Sequence, residues 1–155
     1  MSFSRLNIAD GDFGEKLWAE HLTSLGRNCT ISDNRRATDW DVSTDDGVKY
    51  EVKYDKLAYR TGNFYLEFWN THSKKPSGVM SCQVDYFIYI VRDTDNSRHL
   101  AYCFRLTELQ EHLQSSNYKV RENKRRGDSN AKGWTPRITD LCESPDSGFI
   151  KLIEL

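Results

Sequence analysis

Asp41-Val-Ser-Thr-Asp45-Asp46-Gly47-Val-Lys-Tyr50-Glu51-Val52-Lys53 is the stretch on which the fold turns. It holds two short β-like runs around a polar connection that contains Gly47, and Asp and Gly are residues that tight turns favour. Successive side chains of a strand take opposite faces, so Glu51 and Lys53 share one face and Val52 takes the other. Tyr50, Val52 and Tyr54 make that second face apolar, so the charged face is not the remnant of a generally polar segment. A hairpin closing near Asp45-Asp46-Gly47 carries Asp41 back beside Glu51. Two carboxylates and one ammonium then converge.

That grouping suits metal-assisted phosphodiester cleavage. Carboxylates hold a hard divalent cation through oxygen. The cation polarises phosphate and lowers the pKa of a bound water, and a lysine orients that water or offsets charge building on phosphorus. The plainer reading of the same residues is an ordinary charge pair on an exposed strand, preceded by an aspartate near a turn. Asp39 competes with Asp41 for the acidic role, because residues two apart in a strand share a face.

The pattern Asp41…Glu51-Val52-Lys53, with nine residues between the acids, resembles the PD-(D/E)XK nuclease superfamily. Glu51-Val-Lys-Tyr-Asp55, Thr61-Gly62-Asn63-Phe-Tyr-Leu-Glu67-Phe, Pro76-Ser77-Gly78-Val and Asp85-Tyr86-Phe87 extend the likeness toward a phage-type, junction-resolving subgroup, over roughly residues 10–140. Trp40 stands where the superfamily usually carries proline, which leaves Asp39 and Asp41 hard to tell apart. The resemblance implies a restriction-endonuclease-like α/β fold, a central mixed β-sheet flanked by helices, over residues 1–155 as one domain. It implies Mg²⁺ (or Mn²⁺) held by Asp41 and Glu51, Lys53 as a catalytic partner, and Glu15 on the first helix completing the pocket. The implied activity is that of a metal-dependent DNA endonuclease leaving a 5′-phosphate, acting on branched DNA as a two-fold homodimer in phage DNA processing. The competing reading is an inactive nuclease-fold DNA-binding subunit of a replication or recombination complex.

Composition sets bounds. A chain of 155 residues is one domain by length, long enough to bury about two-thirds of its unfolded surface. Four Trp, eight Tyr and seven Phe supply a core. No apolar run approaches the ~20 residues of a membrane span, and Met1-Ser-Phe-Ser-Arg-Leu lacks the apolar stretch of a signal peptide. These two readings lead to an expectation of a cytoplasmic protein, in the host cytoplasm if the chain is phage-encoded. Cys29, Cys82, Cys103 and Cys142 form no Cys-x-x-Cys pair and no histidines sit at zinc-helix spacing, so buried free thiols are expected rather than zinc. No phosphate-binding Gly-rich loop or nucleophile elbow is present, which leaves a small-molecule metabolic enzyme without support.

The net charge of −1 is unevenly spread. Lys119, Arg121, Lys124, Arg125, Arg126, Lys132 and Arg137 face only Glu122 and Asp128 within one segment, whereas residues 39–51 hold five acids against Lys49. A basic stretch near an acidic metal pocket suits a polyanion bound beside a cation; the alternative is a solvated loop. The segment's centre is expected to be a mobile loop contacting the DNA backbone through Lys124, Arg125, Arg126 and Lys132. Lys74, Lys75 and Ser77, in a loop read over residues 71–78, are phosphate-contact residue types.

Along the chain, Phe13, Leu17, Trp18, Leu22 and Leu25 predict a helix over about residues 12–26, opened by an Asp12/Glu15 capping box and stopped by Gly26. Glu15 has two roles open to it: capping residue, or acid reaching the site from the core side. Strands are expected near 29–32, 38–44, 48–55 and 63–69, with Glu67 a further acid, a group orienting Lys53, or a surface carboxylate. Val84–Val91 reads as a central strand covered on both faces, paired with Leu100–Phe104 across an Asp95-Asn96-Ser97 turn. A short helix follows to about Gln114, and a terminal strand lies near Gly148–Leu155.

Overall fold

The computed structural model describes residues 3–33, 39–123, 130–143 and 150–155, with residues 3–9 as backbone. The elements in order are α1 (Phe3–Ser24), β1 (Cys29–Ile31), β2 (Val42–Thr44), β3 (Lys49–Asp55), α2 (Ala58–Thr61), β4 (Leu66–Asn70), β5 (Lys75–Pro76), a 3₁₀ turn (Gly78–Met80), β6 (Tyr86–Asp93), β7 (Arg98–Arg105), α3 (Leu106–Ser115), β8 (Val120–Asn123), β9 (Ala131–Trp134), α4 (Ile138–Cys142) and β10 (Ile150–Glu154).

The main sheet runs β1-β2-β3-β6-β7-β10. Its neighbours are antiparallel except β3 and β6, which run parallel from Tyr50 opposite Tyr86 to Asp55 opposite Val91. The chain is thus mixed α/β with a mostly antiparallel central sheet flanked by helices. β6 is the buried central strand its sequence predicts. Phe87, Tyr89 and Val91 face a core with Phe64, Leu66 and the α3 residues Leu106, Leu109 and Leu113. Ile88 and Ile90 face the opposite core with Trp18 and Leu22 of α1 and Val52 of β3. A parallel pair needs a crossover rather than a tight turn. Here the crossover carries α2, β4, β5 and the 3₁₀ turn, and from it grows a second sheet, β5-β4-β9-β8, entirely antiparallel.

Three expectations change. α1 begins well before Asp12, so Asp12 and Glu15 are interior helical residues and make no capping box. The helix does stop at Gly26, whose φ of 79° is the left-handed conformation glycine tolerates, and the Arg27 N–H closes back on the Leu22 carbonyl at 3.0 Å. The strand expected over 38–44 shrinks to Val42–Thr44. The basic segment contributes β8 and β9 on either side of its centre: residues 131–133, expected in the loop, belong to β9, where Ala131 and Gly133 are buried and Lys132 is half-buried, and residues 124–129 of the expected loop lie outside the described residues. Among the described residues no helix is long and apolar enough to cross a membrane.

Candidate functional site

The turn between β2 and β3 closes through the Gly47 N–H to the Thr44 carbonyl and the Thr44 N–H to the Val48 carbonyl, each at 2.9 Å. Gly47 has φ 90°, which a residue with a Cβ adopts only under strain. Arg27 braces the turn from outside, contacting Asp46 at 3.0 Å and the Tyr50 hydroxyl at 3.2 Å. The Thr44 hydroxyl, then Arg27, holds the Asp46 carboxyl below its usual range. Asp46 therefore serves the turn, and Asp39 is exposed.

Asp41 is placed differently. Its N–H donates to the Tyr50 carbonyl at 2.9 Å, and its Oδ2 accepts the Val52 N–H at 2.9 Å. The peptide groups on both sides of Glu51 are thus tied to Asp41, which fixes this carboxylate beside the strand residue that carries the second acid.

Glu51 and Lys53 line a cleft of about 460 Å³ whose other lining includes Glu67, Asn70 and Ala131 of the second sheet and Tyr65 just before β4. The Lys53 ammonium donates to the Tyr65 carbonyl at 2.8 Å. It also lies 4.8 Å from the Tyr65 ring centre and 5.3 Å from that of Tyr89. Aromatic faces attract a cation without neutralising it. Tyr89 ties this arrangement together: its hydroxyl accepts the Tyr65 N–H at 3.1 Å and donates to the Asp55 carboxylate in a short hydrogen bond. Asp55 also accepts the N–H groups of Leu57 at 2.8 Å and Ala58 at 3.1 Å, fixing the chain as it leaves β3. Burial, then the Asp55 charge, raises the Tyr89 hydroxyl well above its ordinary pKa, so it remains a donor.

Cys82 registers where the two acids sit. Burial, then the Glu51 charge and more weakly Asp41, pushes its thiol up to about 12. That cysteine is therefore a neutral thiol. The other acids divide. Glu67 joins the cleft lining, seated where Gly78 approaches: a Cβ at Gly78 would fall 2.3 Å from the Glu67 carbonyl oxygen. Glu15 is only 3% exposed, on a helix that presses against β3 at Gly14, but it does not line the cleft; Asp10 and Gly11 of the same helix do.

Among the described residues no group of three His, Cys, Asp or Glu side chains is arranged to hold a metal ion. Asp41 and Glu51 fit a less demanding requirement. Mg²⁺ is commonly held by one or two carboxylates, with water and substrate phosphate filling the remaining positions, rather than by an all-protein cage.

Of the residues expected to touch a polyanion, Lys74 and Lys75 are exposed at the β4–β5 turn. Lys132 is half-buried in β9, opposite Trp69 and Glu122. The Ser77 hydroxyl is buried, with no hydrogen-bond partner among the described residues, so it is not presented to solvent. Lys124, Arg125 and Arg126 lie outside the described residues. Tyr65, Tyr89 and Asp55, which hold Lys53 in place, were not singled out by the sequence for this role. The signal for Tyr89 is its register opposite Lys53, which exists only once β3 and β6 are known to be parallel neighbours.

Compared with protein-family models, with curated proteins and with solved structures, the chain has no match.

Proposed function

We propose that this chain is a metal-dependent DNA endonuclease of the restriction-endonuclease-like, PD-(D/E)XK type. The observation that carries the reading is the Asp41 carboxylate bonded at 2.9 Å to the residue after Glu51, with Lys53 one step further along the strand and facing the same cleft as Glu51. Glu51 and Lys53 line that cleft, and Asp41, which does not line it, is tied to the strand between them through the Val52 N–H.

In this reading Asp41 and Glu51 hold Mg²⁺ or Mn²⁺. When bound, that ion supplies polarisation of the phosphate and a lowered pKa for water. The protein's own residues do the rest. Asp41 keeps its orientation through the Val52 N–H, so its carboxylate is set before any ligand arrives. Lys53 brings positive charge to the phosphate from a fixed position, its Nζ anchored on the Tyr65 carbonyl. Glu67 and the Asn70 side chain, on the opposite wall, border the path of a bound strand. By resemblance Glu15 is the further acid of the metal pocket, though here it is buried and does not line the cleft, and Lys74, Lys75 and Lys132 are offered as backbone contacts. Branched DNA is the favoured substrate and a two-fold homodimer the favoured assembly, both by resemblance to phage junction-resolving nucleases.

One observation favours a second reading, an inactive nuclease-fold subunit that binds DNA: no three-acid cluster is found among the described residues. A panel of four-way, flap, nicked and linear DNA, each with Mg²⁺, Mn²⁺ or EDTA, separates the two. The enzyme reading expects cutting with either cation and none with EDTA. Intact DNA in every tube would withdraw it, and equal rates on all four substrates would withdraw the preference for branched DNA.

A further inference from the structure

A second cleft, of about 370 Å³, lies beside the first, and Asp10 and Tyr54 line both. Four elements build it. α1 gives Asp10 and Phe13, the end of β3 gives Tyr54 and Lys56 just beyond it, β6 gives Arg92, and β7 gives His99, the direct cross-strand partner of Arg92. Its charges are unequally spent. Lys56 pairs with Asp10 at 2.9 Å, and Arg98 at the rim pairs with the buried Asp93 at 2.8 Å and with Glu154 at 3.4 Å. Arg92 is exposed and makes no ion pair or hydrogen bond with another described residue. Its charge nevertheless acts on Tyr54 and His99, which hydrogen-bond to each other at 3.1 Å between the Tyr54 hydroxyl and His99 Nε2. Beside them the Phe13 ring is 43% exposed, edge-on to Tyr54 at 5.2 Å and to His99 at 5.5 Å.

A guanidinium without an ion pair among the described residues, a hydroxyl–imidazole pair and an exposed aromatic ring around one concavity match one nucleotide unit of a nucleic-acid strand. Arg92 recognises phosphate in the two-pronged manner of a guanidinium, and an exposed phenyl ring stacks with any base. We propose that this second cleft binds a nucleotide of the strand flanking the one held at the Glu51–Lys53 cleft, its phosphate on Arg92 and its base on Phe13. The inference rests on the nuclease reading for the identity of the strand. The two clefts meeting at Asp10 and Tyr54 give a single strand one continuous path.

The test is metal-free binding, in EDTA, of fluorescently labelled single-stranded DNA and of RNA of the same sequence, followed by anisotropy across a salt series. For Arg92→Gln the slope of log affinity against log salt should flatten by about 0.7, the value of one phosphate contact on a single strand. Arg92→Lys, which keeps the charge, should restore most of the slope. Phe13→Ala should weaken binding about fivefold or more, the lower end of one base stack, with the slope unchanged. The DNA and RNA arms show which strand the cleft prefers, and tighter binding of DNA agrees with the proposal. If the unaltered chain binds and neither Arg92→Gln nor Phe13→Ala changes its binding, the second cleft is not a nucleotide site and the nuclease reading stands. If the unaltered chain binds neither DNA nor RNA, the second cleft is not a nucleotide site, and the nuclease reading is decided separately by the cleavage panel.

Discussion

Lys53 of β3 is joined to Tyr65, the residue just before β4: the Lys53 ammonium donates to the Tyr65 backbone carbonyl at 2.8 Å and lies over the same residue's ring. The catalytic role proposed for Lys53 therefore depends on where β4 begins, and Tyr89 sets that start by accepting the Tyr65 N–H. Tyr89→Phe should leave that N–H and an Asp55 carboxylate oxygen without a partner, costing about 1–3 kcal/mol of stability. It should also lower cleavage at saturating DNA while the metal-free affinity stays near that of the parent. Lys53→Ala should abolish cleavage with the fold kept, as read by unchanged circular dichroism and melting. Full cleavage by Lys53→Ala would remove this residue from the mechanism.

Asp41 and Asp39 separate in the structure as they do not in the sequence. Asp41→Asn keeps a side-chain oxygen for the Val52 N–H, so β2 and β3 should stay joined while the charge disappears. The expected outcome is loss of Mg²⁺-dependent cutting and of calorimetric Mg²⁺ binding, with little change in melting. Asp39→Asn, at an exposed position, should cut and bind as the parent does. Reversed results for the two variants would move the acidic role to Asp39.

Much of this was legible because it is local. The β2–β3 hairpin follows from Gly47 and the alternation of Tyr50, Val52 and Tyr54, and the burial of β6 follows from its uninterrupted apolar run. Asp41 beside Glu51 needs only that hairpin. The rest was hidden where distant segments meet. Glu15 looked like a capping residue because Asp12 precedes it by three, yet the helix continues backward to Phe3 and tertiary packing on β3 decides its place. The aromatic seat of Lys53 needs β3 parallel to β6 and Tyr65 brought in from the crossover. Nothing in the spacing of these residues encodes that. The β8–β9 pair was masked by its own charge, because Lys132 and Glu122 dominate a pattern whose inward positions are only Ala131 and Gly133.

Two glycines allow close approaches around the first cleft, Gly78 in its lining and Gly14 where α1 meets β3. At Gly14 a Cβ would stand 2.9 Å from the Tyr54 Cβ, between α1 and β3, where neither backbone is easily displaced. Gly14→Ala should cost about 1–3 kcal/mol, the usual range for overpacking. Gly78 combines a Cβ clash at 2.3 Å with the Glu67 carbonyl and a φ of 55°, so Gly78→Ala should cost more than Gly14→Ala and displace Glu67. Urea titration gives both values. An order reversed between the two variants would mean that the 3₁₀ turn moves away from β4 more readily than α1 moves away from β3.

Acid stability should carry the signature of Asp93, a carboxylate only 1% exposed at the β6–β7 turn. It accepts the Asn96 side-chain amide and Arg98 Nε, each at 2.8 Å, and the N–H groups of Asp95 at 3.2 Å and Asn96 at 3.3 Å. The Asn96 side chain first, then Arg98, lowers its pKa from 3.8 to about 2. Because the folded value is depressed, the unfolded chain takes up the proton first. The stabilisation is present in full above the unfolded value and is lost as pH falls through the folded one. Asp93→Asn keeps one oxygen acceptor but removes the charge facing Arg98. It should be less stable than the parent at neutral pH, and the gap in urea midpoint should narrow between about pH 4 and pH 2. His21 and His99, both depressed by burial, are common to the two proteins, so the destabilisation they bring as pH falls cancels in the difference. A gap that stays constant down to pH 2 would show that the Asp93 charge contributes nothing and that the turn is held by neutral hydrogen bonds alone.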